Sequence, residues 1–329
     1  MSLHIVLIGG IAAGAKPILE EQIEVPATFR AISDSDDEED VLAVLTDADI
    51  VLGDWPAAAN AMSAPDLKLM QRVGAGVDKI DPERIPPGAY VCNVYKHSTA
   101  IAEHVFSMLL AHRRRLLELD ADLRNGVWNY PRPPEGSVSD IRGSTLGIVG
   151  FGHIGRALVP RARGFDLDVM AIRGSEPTDD LPDGVTFLGG PDDLDRVLEE
   201  CDVIVVSVPL NDETRGLIGE REFELMGADS MLINVARGPV VDEAAFYEAL
   251  ESETIGGAGI DTWYRYPNGD ESVQPSEFPF TNLDNVVLTP HIAGWSDQTA
   301  SARFDFIAEN VARIARGEKP ENVVWGPRA

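Results

Sequence analysis

The stretch TLGIVGFGHIGRALVPRA, residues 145–162, limits the fold of this chain more than any other segment. An apolar run from Leu146 to Val149 leads into Gly150, Gly152 and Gly155, and a helical pattern follows from Ile154 to about Arg163. A dinucleotide phosphate site requires strand, glycine turn and helix in that order. The first glycine permits a tight turn, the second lets backbone approach a pyrophosphate, and the third lets the helix pack on the strand. The helix N-terminus then offers unpaired N–H groups and the positive end of its dipole to the phosphates. The segment therefore predicts dinucleotide binding around residues 150–155.

From Thr145 to Leu288 strands and helices alternate. Strand-like runs are TLGIVG, DLDVMAI (166–172), DVIVVSV (202–208), SMLINVA (230–236), GGAGID (256–261) and NVVLT (285–289). Helical patterns lie near Asp192–Glu200, Glu220–Met226 and Asp242–Ser252. Apolar runs joined by helical crossovers predict a parallel, doubly wound sheet. The first 95 residues show a second α/β alternation, LHIVLIG, DIVLGDW, LKLMQRVGAG and AYVCNVY, and a long helix is expected from about Thr99 to Arg124. Gly9, Gly10 and Gly14 also follow a strand but lack the GxGxxG spacing, and read as a fold turn. The helix expected over Asp297–Arg316 follows the last strand of the glycine-loop sheet and most simply returns to the N-terminal domain. The expectation is thus an α/β fold of two doubly wound parallel-sheet domains. A Rossmann NAD(P) domain (99–294) is inserted into a flavodoxin-like substrate domain (1–98 and 295–329), with the site in the cleft between them.

Composition narrows the class. The net charge is −28 over 329 residues, which argues against nucleic-acid and anionic-membrane partners. No apolar run is long enough for a bilayer, and the start MSLHIVLIGG lacks a basic n-region, so a cytoplasmic protein is expected. Cys92 and Cys201 are the only cysteines, suited to a reducing compartment as buried, inert thiols. Only five of the 27 basic residues are lysine. Salt-adapted proteins and acidic proteins from GC-rich genomes both share that signature. The run DSDDEED, 34–40, has no calcium-loop spacing, and no metal is expected.

Reduction of a carbonyl by hydride needs a proton donor and a cation that anchors the substrate. Of six histidines, His4 lies in a strand, His104 and His112 in the long helix, and His153 in the glycine loop. His291, in LTPHIAGW, follows the C-terminal end of a strand, where open α/β sheets place their ligands, and His97 is the runner-up. Arg237, in LINVARGPVVDEAAF, directly follows a buried strand, and its fixed fork of donors suits a carboxylate and a carbonyl oxygen. Asp261, in GGAGIDTW, also ends a strand and could reach the nicotinamide face of the cleft.

Taken in order, these segments resemble the D-isomer-specific 2-hydroxyacid dehydrogenase family over nearly the whole chain. VGAGVDKID (73–81) is similar to its substrate-carboxylate loop, IAEHVFSMLLAHRR to its interdomain helix and GIVGFGHIG to its cofactor loop. VPLNDETRGLI is similar to its adenosine-side segment, and INVARGPVVDE and TPHIAG to its catalytic segments. The resemblance implies that Val73, Gly74, Ala75 and Gly76 face the substrate acid, that Arg237 anchors it, and that His291 exchanges the proton. It implies cofactor contacts from Gly150, Gly152, His153, Ile154, Gly155, Arg173, Pro209, Thr214, Ala236, Asp261, His291 and Gly294. It also implies a homodimer through the nucleotide-binding domains. The activity it points to is reduction of a small 2-oxoacid of the glyoxylate or hydroxypyruvate type. A phosphoglycerate dehydrogenase-like enzyme, or a non-catalytic NAD(P)(H)-sensing protein, is the alternative.

Two positions depart from the family pattern. Its catalytic glutamate, five residues after the Asp261 position, is here Tyr266, in DTWYRYPNGDE. Either Trp263, Tyr264 and Tyr266 pack an interface, or Asp270 or Glu271 replaces the missing acid. Without a carboxylate partner, the charged form of His291 loses a stabilising neighbour and its pKa is expected below that of glutamate-bearing relatives. At the end of the second Rossmann strand, where NAD sites carry an acid for the ribose 2′-OH, the chain has Arg173, 18 residues after Gly155. A cation there suits the 2′-phosphate of NADP, so NADP is favoured over NAD, although Arg173 stacked on adenine would serve either.

Overall fold

A computed structural model describes residues 2–328 except 33–35, 79, 129, 132–137, 175–180 and 268–271. The chain divides into two compact units. Met1–His97, Pro267–Ser272 and Ser296–Ala329 form the first, and Ser98–Tyr266 with Val273–Trp295 the second.

In the first unit, β1 (Leu3–Ile8), β2 (Ala27–Ile32), β3 (Ile50–Gly53), β4 (Leu69–Gln71) and β5 (Tyr90–Cys92) pair in parallel in the order β5-β4-β3-β1-β2. Their apolar runs show little alternation because helices cover both faces. Leu19, from the helix Lys16–Gln22, packs on one face with Phe304, Ile307 and Val311 of the helix Asp297–Ala315. Leu45, Ile85 and Trp325 pack on the other.

The second unit holds β6 (Thr145–Val149), β7 (Asp168–Ile172), β8 (Phe187–Gly189), β9 (Val203–Val206), β10 (Met231–Asn234), β11 (Gly257–Ile260) and β12 (Val286–Leu288). They form one parallel sheet in the order β8-β7-β6-β9-β10-β11-β12, the doubly wound arrangement, with its switch point between β6 and β9. Residues from the helices Ser98–Arg113 and His153–Gly164 pack on one face. On the other face Phe246 stacks on Phe223, with ring centroids 5.4 Å apart, and packs against Phe280 at 5.6 Å. After the helix Asp297–Ala315, β13 (Val323–Trp325) closes the first sheet as an antiparallel edge beside β5.

Three strands are absent from the sequence reading. β2 carries Arg30 at a sheet edge and is only partly buried, while β8 and β13 have three residues each, too few to show a period. The single helix expected over Thr99–Arg124 is two helices, Ser98–Arg113 and Leu116–Arg124. Arg115 adopts a left-handed conformation, φ 49°, which ends the i to i−4 ladder between them. Of the acidic run, Asp37 to Asp40 open the helix Glu38–Leu45, where carboxylates favour the positive end of its dipole. Asp34 and Ser35 lie outside the described residues. Cys92 and Cys201 are buried free thiols, each pushed up to about 12 by desolvation, which makes them inert at neutral pH.

Candidate active site

Every predicted site residue of the second unit lies at one edge of its sheet, because all seven strands run parallel and end there. The glycine loop follows β6, Arg173 follows β7 and the turn 207–214 follows β9. Ala236 and Arg237 follow β10, Asp261 follows β11, and residues 289–294 follow β12.

The glycine loop has the shape a pyrophosphate needs. Gly150 has φ 107°, and a Cβ there would lie 2.9 Å from the Ser207 carbonyl carbon; one at Gly155 would lie 2.8 Å from the Gly150 oxygen. A Cβ at Gly152, by contrast, would meet nothing within 4 Å. Gly152, which has no side chain to occupy the first amides, is the N-cap of the twelve-residue helix His153–Gly164. The loop therefore fits a dinucleotide phosphate. Below it, Thr214 Oγ1 donates to the Pro209 carbonyl at 2.6 Å, closing the 209–214 turn. Arg173 is half-buried, its backbone N–H on the Gly189 carbonyl at 3.1 Å.

Asp261 organises the opposite end of that edge. It is 1% exposed, and its Oδ1 accepts from the Thr289 hydroxyl at 2.6 Å and from Ile292 N–H at 2.9 Å. Its Oδ2 accepts from Ala293 N–H at 3.1 Å. The Thr289 hydroxyl has one hydrogen and gives it to Asp261, so the 3.0 Å contact between His104 Nε2 and Thr289 Oγ1 places the proton on His104 Nε2. Trp263 Nε1 adds a bond to the Thr289 carbonyl at 2.9 Å. Asp261 and Trp263 thus grip the turn on both sides of His291. That grip holds His291 at φ 55°, a conformation that non-glycine residues avoid unless their surroundings impose it.

The aromatic segment after β11 divides its work. Trp263 is buried against Phe280, and the buried Tyr264 hydroxyl donates to the Val241 carbonyl at 3.0 Å, burial pushing its phenol well above the usual range. Tyr266 is 41% exposed and its ring lies 5.4 Å from the His291 ring, tilted by 60°, while its hydroxyl accepts from Trp263 N–H at 3.2 Å. A tyrosine ring therefore lies beside the imidazole, at the position where the family resemblance implies a glutamate. Asp270 and Glu271 lie outside the described residues. On the far side of β11, Arg237 is half-buried, its Nη1 donating to the Ala236 carbonyl at 2.8 Å. Asn234 fixes the backbone around it by donating to the Arg237 carbonyl and accepting from Ala236 N–H, both at 3.0 Å.

The loop of Val73, Gly74, Ala75 and Gly76 follows β4 in the first unit, as does His97, after β5. Three of the loop's carbonyls are tied to the fold. Gly74 accepts from Val94 N–H at 3.2 Å, Ala75 from Asn93 Nδ2 at 2.8 Å, and Gly76 from Arg72 Nε at 3.2 Å. Arg72 also donates to the Gly53 carbonyl at 2.8 Å and pairs with Asp54. In a trans peptide the next N–H points opposite its C=O. The amides of Ala75, Gly76 and Val77 are therefore each turned away from the donor that holds the preceding carbonyl. Arg72, Asn93, His104 and Thr289 all escaped the sequence reading. A polar residue directly after a buried strand was the available signal for Arg72, Asn93 and Thr289, whereas His104 is one of several polar helix residues.

Comparison with known proteins identifies the family. Residues 106–293 match the model of the D-isomer-specific 2-hydroxyacid dehydrogenase NAD-binding domain. The chain belongs to that family. It is 37% identical over 268 residues to a glyoxylate reductase of Korarchaeum cryptofilum, covering 80% of this chain and 77% of the relative. It is 32% identical over 317 residues to a glycerate dehydrogenase of Methylorubrum extorquens, covering 92% and 94%. An acyclic imino acid reductase solved with NADPH and D-Arg superposes with a TM-score of 0.82 at 26% identity, covering 98% of this chain and 100% of that one. The protein is accordingly an NAD(P)-dependent oxidoreductase of the 2-hydroxyacid dehydrogenase family. Among the described residues no cluster of His, Cys, Asp or Glu could hold a metal ion, and no helix is long and apolar enough to cross a membrane.

Tyr266→Glu tests the consequence of the aromatic neighbour. A carboxylate beside His291 stabilises imidazolium and raises its pKa, and carbonyl reduction needs the protonated form. Reduction by the variant should therefore persist to higher pH, the falling limb of kcat/KM moving up by about one to two pH units. Superimposable pH–rate profiles of the two proteins would contradict this.

Proposed function

We propose that the protein reduces a small 2-oxoacid of the glyoxylate or hydroxypyruvate type with NADPH. The observation that carries the reading is the Asp261-held turn, which presents His291 at the same sheet edge as Arg237 and the glycine loop. When bound, the nicotinamide supplies the hydride that the carbonyl carbon receives. Arg237 holds the substrate carboxylate and polarises the carbonyl with its fork of donors. His291 donates a proton to the carbonyl oxygen as the hydroxyl forms. Gly150, Gly152, His153, Ile154 and Gly155 hold the pyrophosphate, Pro209 and Thr214 border the adenosine, and Ala236, Asp261 and Gly294 border the nicotinamide half.

Arg173 supports NADP over NAD, because a guanidinium at the end of β7 attracts a 2′-phosphate and gives ribose hydroxyls no acceptor. A non-catalytic dinucleotide sensor is the second reading, and Tyr266 in place of the acid is what favours it. Turnover of glyoxylate, hydroxypyruvate and pyruvate with NADPH and NADH decides between the two. The expected result is reduction of at least one acid, with kcat/KM about tenfold or more higher for NADPH. Binding of NADPH without turnover of any acid contradicts catalysis, and a tenfold preference for NADH contradicts the assignment of Arg173.

The second unit also carries an uncovered apolar surface. Leu116, Leu117 and Leu123, on a helix with no buried residue, and the following Val127 and Trp128 are all more than half exposed. We propose that a second copy of this chain covers them, giving a homodimer through the nucleotide-binding domains, and that the protein works in the cytoplasm, where its buried thiols stay reduced. Light scattering should give twice the chain mass for the wild type and the chain mass for a Leu117→Glu, Trp128→Glu double variant. A monomeric wild type would contradict the dimer.

A further inference from the structure

The helix Ser98–Arg113 lies along β11 in a register that two glycines permit. Side chains alternate along a strand, so positions 257, 259 and 261 share one face at the end of β11. Residues 104, 108 and 112 lie four apart and form one stripe of the helix. A Cβ at Gly257 would collide with the His112 ring, and one at Gly259 would lie 3.2 Å from Met108 Cβ. Glycine at both positions therefore lets the helix seat directly on the strand. Two strand residues advance by about 6.6 Å and four helix residues by about 6 Å. The match of 112 with 257 and of 108 with 259 thus continues to 104 with 261. His104 Nε2 indeed lies 3.8 Å from Asp261 Oδ1.

That distance is too long for a hydrogen bond, whereas His104 Nε2 is 3.0 Å from Thr289 Oγ1. Thr289 stands between the two, accepting from His104 and donating to Asp261 Oδ1 at 2.6 Å. A threonine hydroxyl rotates about its C–O bond, and only one setting aims its hydrogen at Asp261. A donor from His104 occupies a lone pair of Oγ1 and so turns that hydrogen toward the carboxylate. Bonds in such a chain also polarise one another. Apolar packing does not explain a histidine here. Met108 fills the next place on the stripe, and a leucine at 104 would cover the strand equally while leaving the Thr289 hydroxyl without its donor.

We propose that His104 is a positioning residue for the proton donor: through the Thr289 hydroxyl it holds Asp261, and through Asp261 the turn that presents His291. It acts through these two residues and not on the reacting atoms. This rests on the reading of His291 as the proton donor in reduction of a 2-oxoacid.

The test measures kcat and NADPH affinity for His104→Leu, His104→Gln, Thr289→Val and the double variant His104→Leu, Thr289→Val. The substrate is whichever of glyoxylate, hydroxypyruvate and pyruvate the wild type reduces best. Leucine removes the donor but keeps helix propensity, and kcat should fall by about fivefold to tenfold, the equivalent of one hydrogen bond. NADPH affinity should stay within about twofold of wild type. The amide nitrogen of glutamine reaches about as far as imidazole Nε2, so His104→Gln should restore kcat to within about twofold of wild type. In the double variant the loss of His104 should add nothing once the hydroxyl is gone, leaving kcat within about twofold of that of Thr289→Val. Losses that multiply in the double variant overturn the proposal, because a merely structural role at 104 would be independent of the hydroxyl. So does wild-type kcat in His104→Leu, or a folded His104→Gln variant as slow as His104→Leu. If the wild type reduces none of the acids, the 2-oxoacid reading fails and this inference with it, an outcome distinct from turnover with multiplying losses.

Discussion

A single buried carboxylate organises the turn that carries His291. Asp261 brings a charged side chain into the interior at the end of β11, at a desolvation cost of several kcal/mol. Three donors offset that cost, and two of them are backbone amides of the turn that carries His291. Each charge-assisted bond contributes about 1.5–3 kcal/mol, so the balance is favourable only when all three form together. The turn is thus held in one conformation, and His291 is locked into a left-handed backbone that an isolated peptide would leave. Asp261 grips the histidine-bearing turn at the same sheet edge where the family resemblance implies its contact with the nicotinamide.

The rest of the site follows from strand direction. Seven parallel strands end on one edge, so six segments far apart in sequence deliver a glycine loop, two arginines, an aspartate and a histidine to one place. Both faces of the sheet are buried, which makes that edge the sheet's natural location for chemistry. In the first unit the same rule places the 73–76 loop after β4 and Asn93 after β5, where one side-chain amide and one guanidinium set the peptide planes of the loop.

Much of this was legible in the chain because the signals are local. A strand, three glycines and a helix are read from eighteen residues, and β6, β9 and β10 are apolar runs whose burial on both faces leaves no ambiguity of period. Arg237 stood out because it directly follows such a run, and His291 because it lies just past the end of another strand. What was not legible depends on partners distant in sequence. Asn93 and Ala75 are 18 residues apart, and His104 and Thr289 are 185 apart. Nothing in either segment announces the other. The break at Arg115 was hidden because Leu116 and Leu117 continue an apolar pattern although they face outward. Tyr266 was recognisable as a departure, but only the fold shows its ring against His291.

The central claim is that Asp261 serves catalysis by positioning His291. Asp261→Asn keeps the shape of the side chain and replaces one acceptor with an NH2 group, which in either orientation is set against a donor, the Ala293 or the Ile292 amide. Steady-state turnover of the variant, measured together with NADPH affinity by calorimetry, tests the claim directly. The account predicts a kcat reduced by about a hundredfold with cofactor affinity within about threefold of wild type, the signature of a misplaced proton donor in an intact cofactor site. A variant that keeps wild-type kcat but binds NADPH far more weakly would contradict it and return Asp261 to the role of a cofactor ligand.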